Sequence, residues 1–460
     1  MDADAEAIAF GTDGWRATLE EFTAPRVRMV GRAVAAYLDD KGIDGGLAVG
    51  YDAREGSRGF AEELARVLAS RGRDVLVAER DSPTPLVAYG VADRGLAGGL
   101  MVTASHNPPE YNGVKFIPED GAPALPAVTD AIESRLAPPE PLPEAEWGTV
   151  REVDLATPHS DHAIELADAD LSGLRVVYDA MHGSGRGVTD ALLERAGADV
   201  VRRRCGRDPT FGGTPPDPAP EHLEGLRAAV REHDADLGVA NDGDADRIAV
   251  VTPDGHLDEN LFFAVLYDYL LEDDAGPAVR TVSTTFLVDR IAAAHGEETV
   301  EVPVGFKWVA AAMADHDALA GGEESGGFSV RGHVREKDGV LAALLAAAAA
   351  ADRPIEERVA ALLAEHGEVH QGRVSVDCPD ERKAPAIEAL GEDIPESVDG
   401  TAVESVNDAD GFKLLLADGA WLLVRPSGTE PKLRVYAEAE SEERVESLLS
   451  AGRELVEAVV

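Results

Sequence analysis

Short apolar runs, each ending in a polar joint, alternate with helix-period segments along this chain. Leu47-Ala48-Val49-Gly50-Tyr51 reads as a buried strand that ends at Asp52 and Arg54. A helix is predicted over about Phe60 to Arg71, with Ala, Leu and Val on one face, and Val75 to Ala78 is the next strand. This β-α-β alternation constrains the fold more than any other feature, because it calls for layered α/β domains. Open α/β sheets bind ligands in crevices beyond the carboxyl ends of their strands. The residues that follow each strand are therefore the ones to read for chemistry.

Gly98 to Thr103 is a further strand, and Ser105 lies just beyond its end in Thr103-Ala104-Ser105-His106-Asn107-Pro108. Tyr111-Asn112-Gly113-Val114-Lys115 completes the segment. A serine attacks phosphorus or carbon only where its surroundings stabilise the developing charge. Here a base, His106, and a fixed cation, Lys115, stand within one short segment. The bland alternative is a histidine that braces its turn and a solvated surface lysine.

At 460 residues the chain exceeds one compact core, and about three or four domains are expected. A Pro- and Glu-rich stretch from Ala137 to Glu146 places the first boundary, giving a unit 1–146. The second unit, 147–247, holds a helix around Pro158 to Ala167, a strand Leu174 to Tyr178, and a strand Leu237 to Ala240. The third, 248–364, opens with Ile248 to Val251 and ends with the alanine-rich helix Val340 to Ala351. The fourth, 365–460, has strands Gly411 to Leu416 and Ala420 to Val424 and a closing amphipathic helix from Ser441. No sequence repeat of fixed period is present.

Asp and Glu number 87 against 42 Lys and Arg, a formal net charge of -45. Apolar segments recur throughout and no acidic block dominates, which argues against a disordered acidic chain. A folded protein from a salt-rich cytoplasm is expected, since the Debye length shrinks to about 3 Å near 1 M salt. So negative a surface disfavours nucleic-acid partners. Cys205 and Cys378 form no disulfide framework and no zinc spacing. The start lacks a signal peptide's basic and apolar regions, and the longest apolar run is too short to span a bilayer. A cytoplasmic protein without membrane partners is expected.

Asp242, Asp244 and Asp246 alternate in a glycine-containing turn after a strand. Carboxylates that close repel one another unless a cation neutralises them, and hard oxygen ligands suit Mg²⁺ or Ca²⁺. Arg247 and Pro253 occupy the positions where an EF-hand needs Gly and Glu, so that reading fails. Arg247 suits a neighbouring phosphate. Arg425-Pro426-Ser427-Gly428-Thr429 offers a guanidinium, hydroxyls and backbone N–H groups, a cradle for a phosphate dianion. Gly322-Glu323-Glu324-Ser325-Gly326 pairs carboxylates with a hydroxyl that can hold sugar hydroxyls. Gly305-Phe306-Lys307-Trp308 and Phe10-Gly11-Thr12-Asp13-Gly14-Trp15-Arg16 are turns with one cation each. His182 to Gly187 resembles a dinucleotide loop but lacks its third glycine at the right spacing.

In this order, the segments resemble the α-D-phosphohexomutase family across essentially the whole chain. The phosphoserine loop matches at Thr103 to Pro108, the metal loop at Asp242 to Arg247, the sugar loop at Gly322 to Gly326, and the phosphate loop at Arg425 to Thr429. The resemblance implies three related α/β domains and a smaller α+β domain around a central cleft, the last able to rotate. It implies a phosphoserine at Ser105, with Mg²⁺ held by Asp242, Asp244, Asp246 and a Ser105 phosphate oxygen. It implies substrate phosphate on Arg425, Ser427, Gly428 and Thr429, with Arg247, Lys307, Glu323 and Ser325 facing the sugar phosphate. Hexose 1,6-bisphosphate would be intermediate and activator. Lys115, His106 and Arg16 are three candidates for proton handling and charge stabilisation. Gly327 and Phe306 stand where some relatives carry histidine, so those histidines' roles do not transfer. The Glu-Glu-Ser loop resembles glucose-active members, which favours glucose 1- and 6-phosphates, with mannose phosphates possible and phosphoglucosamine the alternative within the family. A metal-dependent sugar phosphatase or a non-catalytic sugar-phosphate binder are alternatives from other classes.

Overall fold

The computed structural model describes residues 3–11, 13–428 and 430–460. Thr12 and Thr429, named above, lie outside the described residues. Four sheets organise the chain. The first runs in the order Trp15–Thr18, Tyr111–Pro118, Gly98–Val102, Leu47–Tyr51, Val75–Ala78, Val150–Val153. The second runs Gly255–Leu257, Ile248–Thr252, Leu237–Asn241, Arg175–Asp179, Asp199–Arg203. The third runs Thr299–Val302, Ala278–Thr281, Ala320–Gly322, Phe328–Val330. The fourth is antiparallel throughout, from His370–Asp377 to Ser397–Val398.

The first three sheets repeat one topology, although no repeat is visible in the sequence. In each, two parallel strands precede a third that joins the same sheet in parallel, and a hairpin then returns antiparallel. The third strands are Gly98–Val102, Leu237–Asn241 and Ala320–Gly322, and the returning ones Tyr111–Pro118, Ile248–Thr252 and Phe328–Val330. The hairpin loops carry Ser105, the three aspartates and Glu323 respectively. Equivalent strand ends thus present three different chemistries.

Most of the predicted elements form where their patterns place them, including the strands Leu47–Tyr51 and Val75–Ala78 and the helix Glu442–Glu457, which Ser441 caps. The unit boundaries move. Val150–Val153 pairs in parallel with Val75–Ala78, so the Pro-rich stretch before it is a connector inside the first domain. Ile248–Thr252 pairs with Leu237–Asn241, so a boundary at 247/248 would cut a hairpin. The third domain begins instead near Asp258, whose carboxylate accepts from Asn260 N and caps the helix Glu259–Leu271. The alanine-rich helix Gly339–Asp352 packs on the helices Ala156–Ala167 and Thr189–Arg195 and on the second sheet. Its small side chains allow that close approach, and they join the second and third domains in one core.

Candidate active site

Ser105 sits in a left-handed backbone conformation (φ 49°) directly after its strand. For a side-chain-bearing residue this conformation is uncommon and must be imposed by neighbours. The buried Arg54 imposes it. Its Nη2 donates to the carbonyls of Ser105 (2.6 Å) and Asn107 (2.7 Å), and its Nη1 to those of Pro108 (2.6 Å) and Tyr111 (3.1 Å). Asp52 holds Arg54 Nε at 2.9 Å and accepts from Ser57 Oγ and Thr103 Oγ1. Thr103 Oγ1 in turn accepts from Ser105 N at 2.8 Å. The polar end of one strand thereby shapes the loop of the next.

Ser105 Oγ donates to Asp242 Oδ2 at 2.7 Å and lies 3.2 Å from His106 Nδ1. A Cβ on Gly243 would meet the Ser105 carbonyl oxygen at 2.5 Å, so the serine and carboxylate loops interlock only because that residue is glycine. Thr84 secures the carboxylate loop from the first domain, with Oγ1 donating to Asp244 Oδ2 at 2.5 Å and N to the Asp244 carbonyl. The His182 segment does the same from the second domain, where Ser184 N and Oγ donate to the Gly243 carbonyl. That segment is scaffold.

Asp242, Asp244 and Asp246 are fully buried and bring one oxygen each within 4.8 Å of the others. Asp244 Oδ1 and Asp246 Oδ1 are buried without a hydrogen-bond partner, the latter 3.9 Å from Arg247 Nε. Burial, then Asp244 and Asp246, push the Asp242 carboxyl well above its usual range. Buried, mutually repelling carboxylates with orphaned oxygens fit a hard divalent cation such as Mg²⁺. Burial opposes a charge on Asp246, but Lys337, Lys115 and Arg247 hold it below the usual carboxylate range. Lys115 Nζ lies 3.3 Å from Asp13 and from Asp246 and 3.7 Å from Asp244. Burial works against this ammonium too, yet those carboxylates raise it well above the ordinary lysine value.

Arg16 joins the group through Asp13 (2.9 Å) and Asn107 Oδ1 (3.1 Å). Arg247 donates from N to Asp242 Oδ1. Arg247, then burial and Arg16, hold the His106 imidazole well below its usual pKa, so it stays neutral and supplies no fixed charge. Glu323 is buried, accepts from Gly305 N at 2.9 Å, and is raised by burial. Ser325 Oγ stands 3.5 Å from Glu323 Oε2. Lys307 is half-buried, 5.9 Å from the Trp308 ring centre, and lowered by burial.

Arg425 and Ser427 stand on the fourth domain. Arg425 Nε donates to Asp410 Oδ2 at 2.8 Å, and Val304 N donates to the same oxygen at 3.2 Å. Gly305, whose N holds Glu323, is the next residue. One carboxylate thus ties the Arg425 loop to the peptide that supports the Glu323 loop. Lys383 Nζ donates to the carbonyls of Ser427 and Glu430 and shapes the rest of the turn around exposed Gly428.

Two buried residues of this centre escaped the sequence reading. Lys337 Nζ lies 2.8 Å from Asp246 Oδ2, and Glu336 Oε2 is buried without a partner. Burial pushes the Glu336 carboxyl up to about 7, against the pull of Lys115 and Lys337. The only local signal was a pair of charges just before the Asp338 cap of an apolar helix.

Four domain models for phosphoglucomutase/phosphomannomutase match in order. Alpha/beta/alpha domains I, II and III match residues 7–140, 158–255 and 258–366, and the C-terminal domain matches 374–454. A Methanopyrus kandleri protein named probable phosphoglucosamine mutase is 35% identical, with 95% of each chain covered. A Thermococcus kodakarensis phosphoglucomutase/phosphomannomutase is 32% identical over 97% of this chain and 98% of its own. The crystal structure of a putative phosphomannomutase from Thermus thermophilus superposes with a TM-score of 0.85 at 31% identity, covering 98% of this chain and 99% of that one. The chain belongs to the α-D-phosphohexomutase family, and it is an isomerase of the phosphohexomutase type.

Proposed function

We propose that the chain interconverts the 1- and 6-phosphates of an aldohexose through a phosphoserine at Ser105 and a hexose 1,6-bisphosphate. The observation that carries this reading is Ser105 Oγ at 2.7 Å from Asp242, inside a buried cluster of carboxylates and cations. A hydroxyl of the bound sugar attacks the phosphorus, the phosphorus–Oγ bond breaks, and the bisphosphate turns over in the cleft. Ser105 Oγ then attacks the bisphosphate's other phosphorus, the bond from that phosphorus to the sugar oxygen breaks, and the sugar oxygen takes up the proton that Oγ gives up. Asp242, Asp244, Asp246 and a phosphoserine oxygen would hold Mg²⁺, which when bound spreads the charge of the phosphoryl group. Lys115 and Arg16 supply fixed positive charge. Neutral His106 can exchange a proton at Nδ1. Glu323 and Ser325 read sugar hydroxyls, and Arg425, Ser427, Gly428 and Thr429 take the distal phosphate, with Arg247 and Lys307 lining the approach.

The Glu323-Glu324-Ser325 loop favours glucose phosphates. Glucosamine phosphate is the second reading, favoured by the name of the Methanopyrus relative. Labelled glucose 1,6-bisphosphate should phosphorylate Ser105, and a chase with each hexose 1-phosphate should recover the label in the sugar that the enzyme uses. Label absent from Ser105, or released only as inorganic phosphate, defeats the reading. Ser105→Ala should cut turnover by orders of magnitude. We also place the enzyme in a salt-rich cytoplasm, on the strength of its 87 acidic residues against 42 basic ones. An unfolding midpoint that does not move between dilute buffer and molar KCl would contradict that setting.

A further inference from the structure

Lys337 reaches the reaction centre from the third domain, through space that one glycine leaves open. A Cβ on Gly327 would stand 2.5 Å from Cδ and 2.8 Å from Cγ of Lys337. These atoms are the middle of the lysine stem, so any larger residue at 327 must displace the whole side chain. The side chain is 7% exposed, and its Nζ lies 2.8 Å from Asp246 Oδ2 and 3.8 Å from Asp13 Oδ2. Lys115 approaches the same two oxygens at 3.3 Å. Two ammonium groups from different domains thus share one pair of carboxylates, which themselves come from the first and second domains.

The peptide that carries Lys337 is fixed just as firmly. Asp338 Oδ1 accepts from Val340 N and Leu341 N, both at 2.8 Å. Its Oδ2 lies 2.6 Å from His159 Nε2 and 2.8 Å from His333 Nε2. His159 belongs to the helix Ala156–Ala167 that leads into the second domain. A lysine with four rotatable bonds is held in place by its neighbour's four hydrogen bonds and by the absence of a side chain at 327. Surface lysines are not anchored in this way.

We propose that Lys337 is a positioning residue of the phosphoryl-transfer centre. It orients Asp246 and Asp13 beside Lys115 and joins three domains around Ser105, and position 327 is glycine to admit it. The inference rests on the mutase reading above and extends it. Atoms of Lys337 act through Asp246 and Asp13, so its loss changes turnover more than sugar binding.

The test is a double-mutant cycle on the full chain. Lys337→Met keeps the stem and removes the charge. It should lower kcat at least tenfold while KM changes less than threefold, and Mg²⁺ titrated calorimetrically without substrate should bind more tightly, since one cation fewer competes for Asp246. A merely structural loss would loosen Mg²⁺. Gly327→Ala should lower kcat and melting temperature in the wild type but add no further loss to Lys337→Ala, which has no Cγ or Cδ to collide with. Wild-type kcat in Lys337→Met, weaker Mg²⁺ binding, or additive effects at 327 and 337 would each overturn the proposal. Wild-type protein that fails to interconvert hexose phosphates would overturn the mutase reading alone. The Mg²⁺ titration and the melting-temperature cycle would then still decide the role of Lys337.

Discussion

Arg54 Nη2 donates to the carbonyl oxygen of Ser105 at 2.6 Å, and the same guanidinium serves three further carbonyls of that loop. A fully buried cation spent on backbone oxygens makes structural sense only if the loop would otherwise adopt another shape. Arg54→Lys keeps the charge but cannot span four acceptors, because an ammonium lacks the planar fork. It should abolish most turnover while the protein remains folded. Arg54→Met should go further, destabilising by roughly 3–5 kcal/mol as Asp52 loses its buried partner. Chemical denaturation beside a mutase assay separates the two effects. An Arg54→Lys enzyme with wild-type turnover would show that the loop holds its own shape.

The contrast between Arg54 and Lys337 shows what the sequence made legible. Strand ends could be read, because an apolar run that stops at polar residues is a local pattern, and Ser105 and Asp242 stand at such ends, whereas Glu323 reads only as part of a glycine-rich loop and the strand Ala320–Gly322 before it is found in the structure. Arg54 was visible as a strand-end charge, but its four acceptors lie more than fifty positions away, and no local pattern encodes them. Lys337 and Glu336 follow a short strand and turn, and only burial against other domains makes them part of the centre. The boundary error at 247/248 has the same origin. A glycine-containing acidic turn looks alike whether it joins two domains or two paired strands, and strand pairing is tertiary information. The threefold topology is expected only through the family resemblance and leaves no fixed-period repeat in the sequence, because the three units share a strand order while their hairpin loops carry different residues.

Without metal, Asp242, Asp244 and Asp246 should repel one another and weaken the fold. An ion held by the native arrangement alone stabilises it, so Mg²⁺ should raise the melting temperature, with about 2.7 kcal/mol gained at a hundred times its dissociation constant. Asp244→Asn removes one charge. It should melt higher than wild type in EDTA and gain less from Mg²⁺. Burial and its neighbours raise Asp242 well above its usual range, and a bound cation would favour its ionised form. Mg²⁺ affinity should therefore rise with pH, as read by differential scanning calorimetry at fixed ionic strength. A variant whose response to Mg²⁺ equals that of wild type would remove Asp244 from the ligand set.

Glu336 gives the pH dependence its sign. Its carboxyl is pushed up to about 7 by burial, whereas in the unfolded chain it titrates near about 4.3. Between these values the native state binds a proton that the unfolded state does not. The stability that this proton brings is fully present below the unfolded pKa and is lost as pH rises through about 7. Glu336→Gln fixes the neutral form at every pH. It should raise the melting temperature clearly at about pH 8, where wild type carries a buried charge, and hardly at all near about pH 4.5, where the two proteins are alike in charge. The measurement is the difference in melting temperature between variant and wild type across that range, in metal-free buffer. A difference that stays constant with pH would mean that Glu336 is ionised throughout, neutralised by Lys115 and Lys337, and that its orphaned oxygen is held by those cations alone.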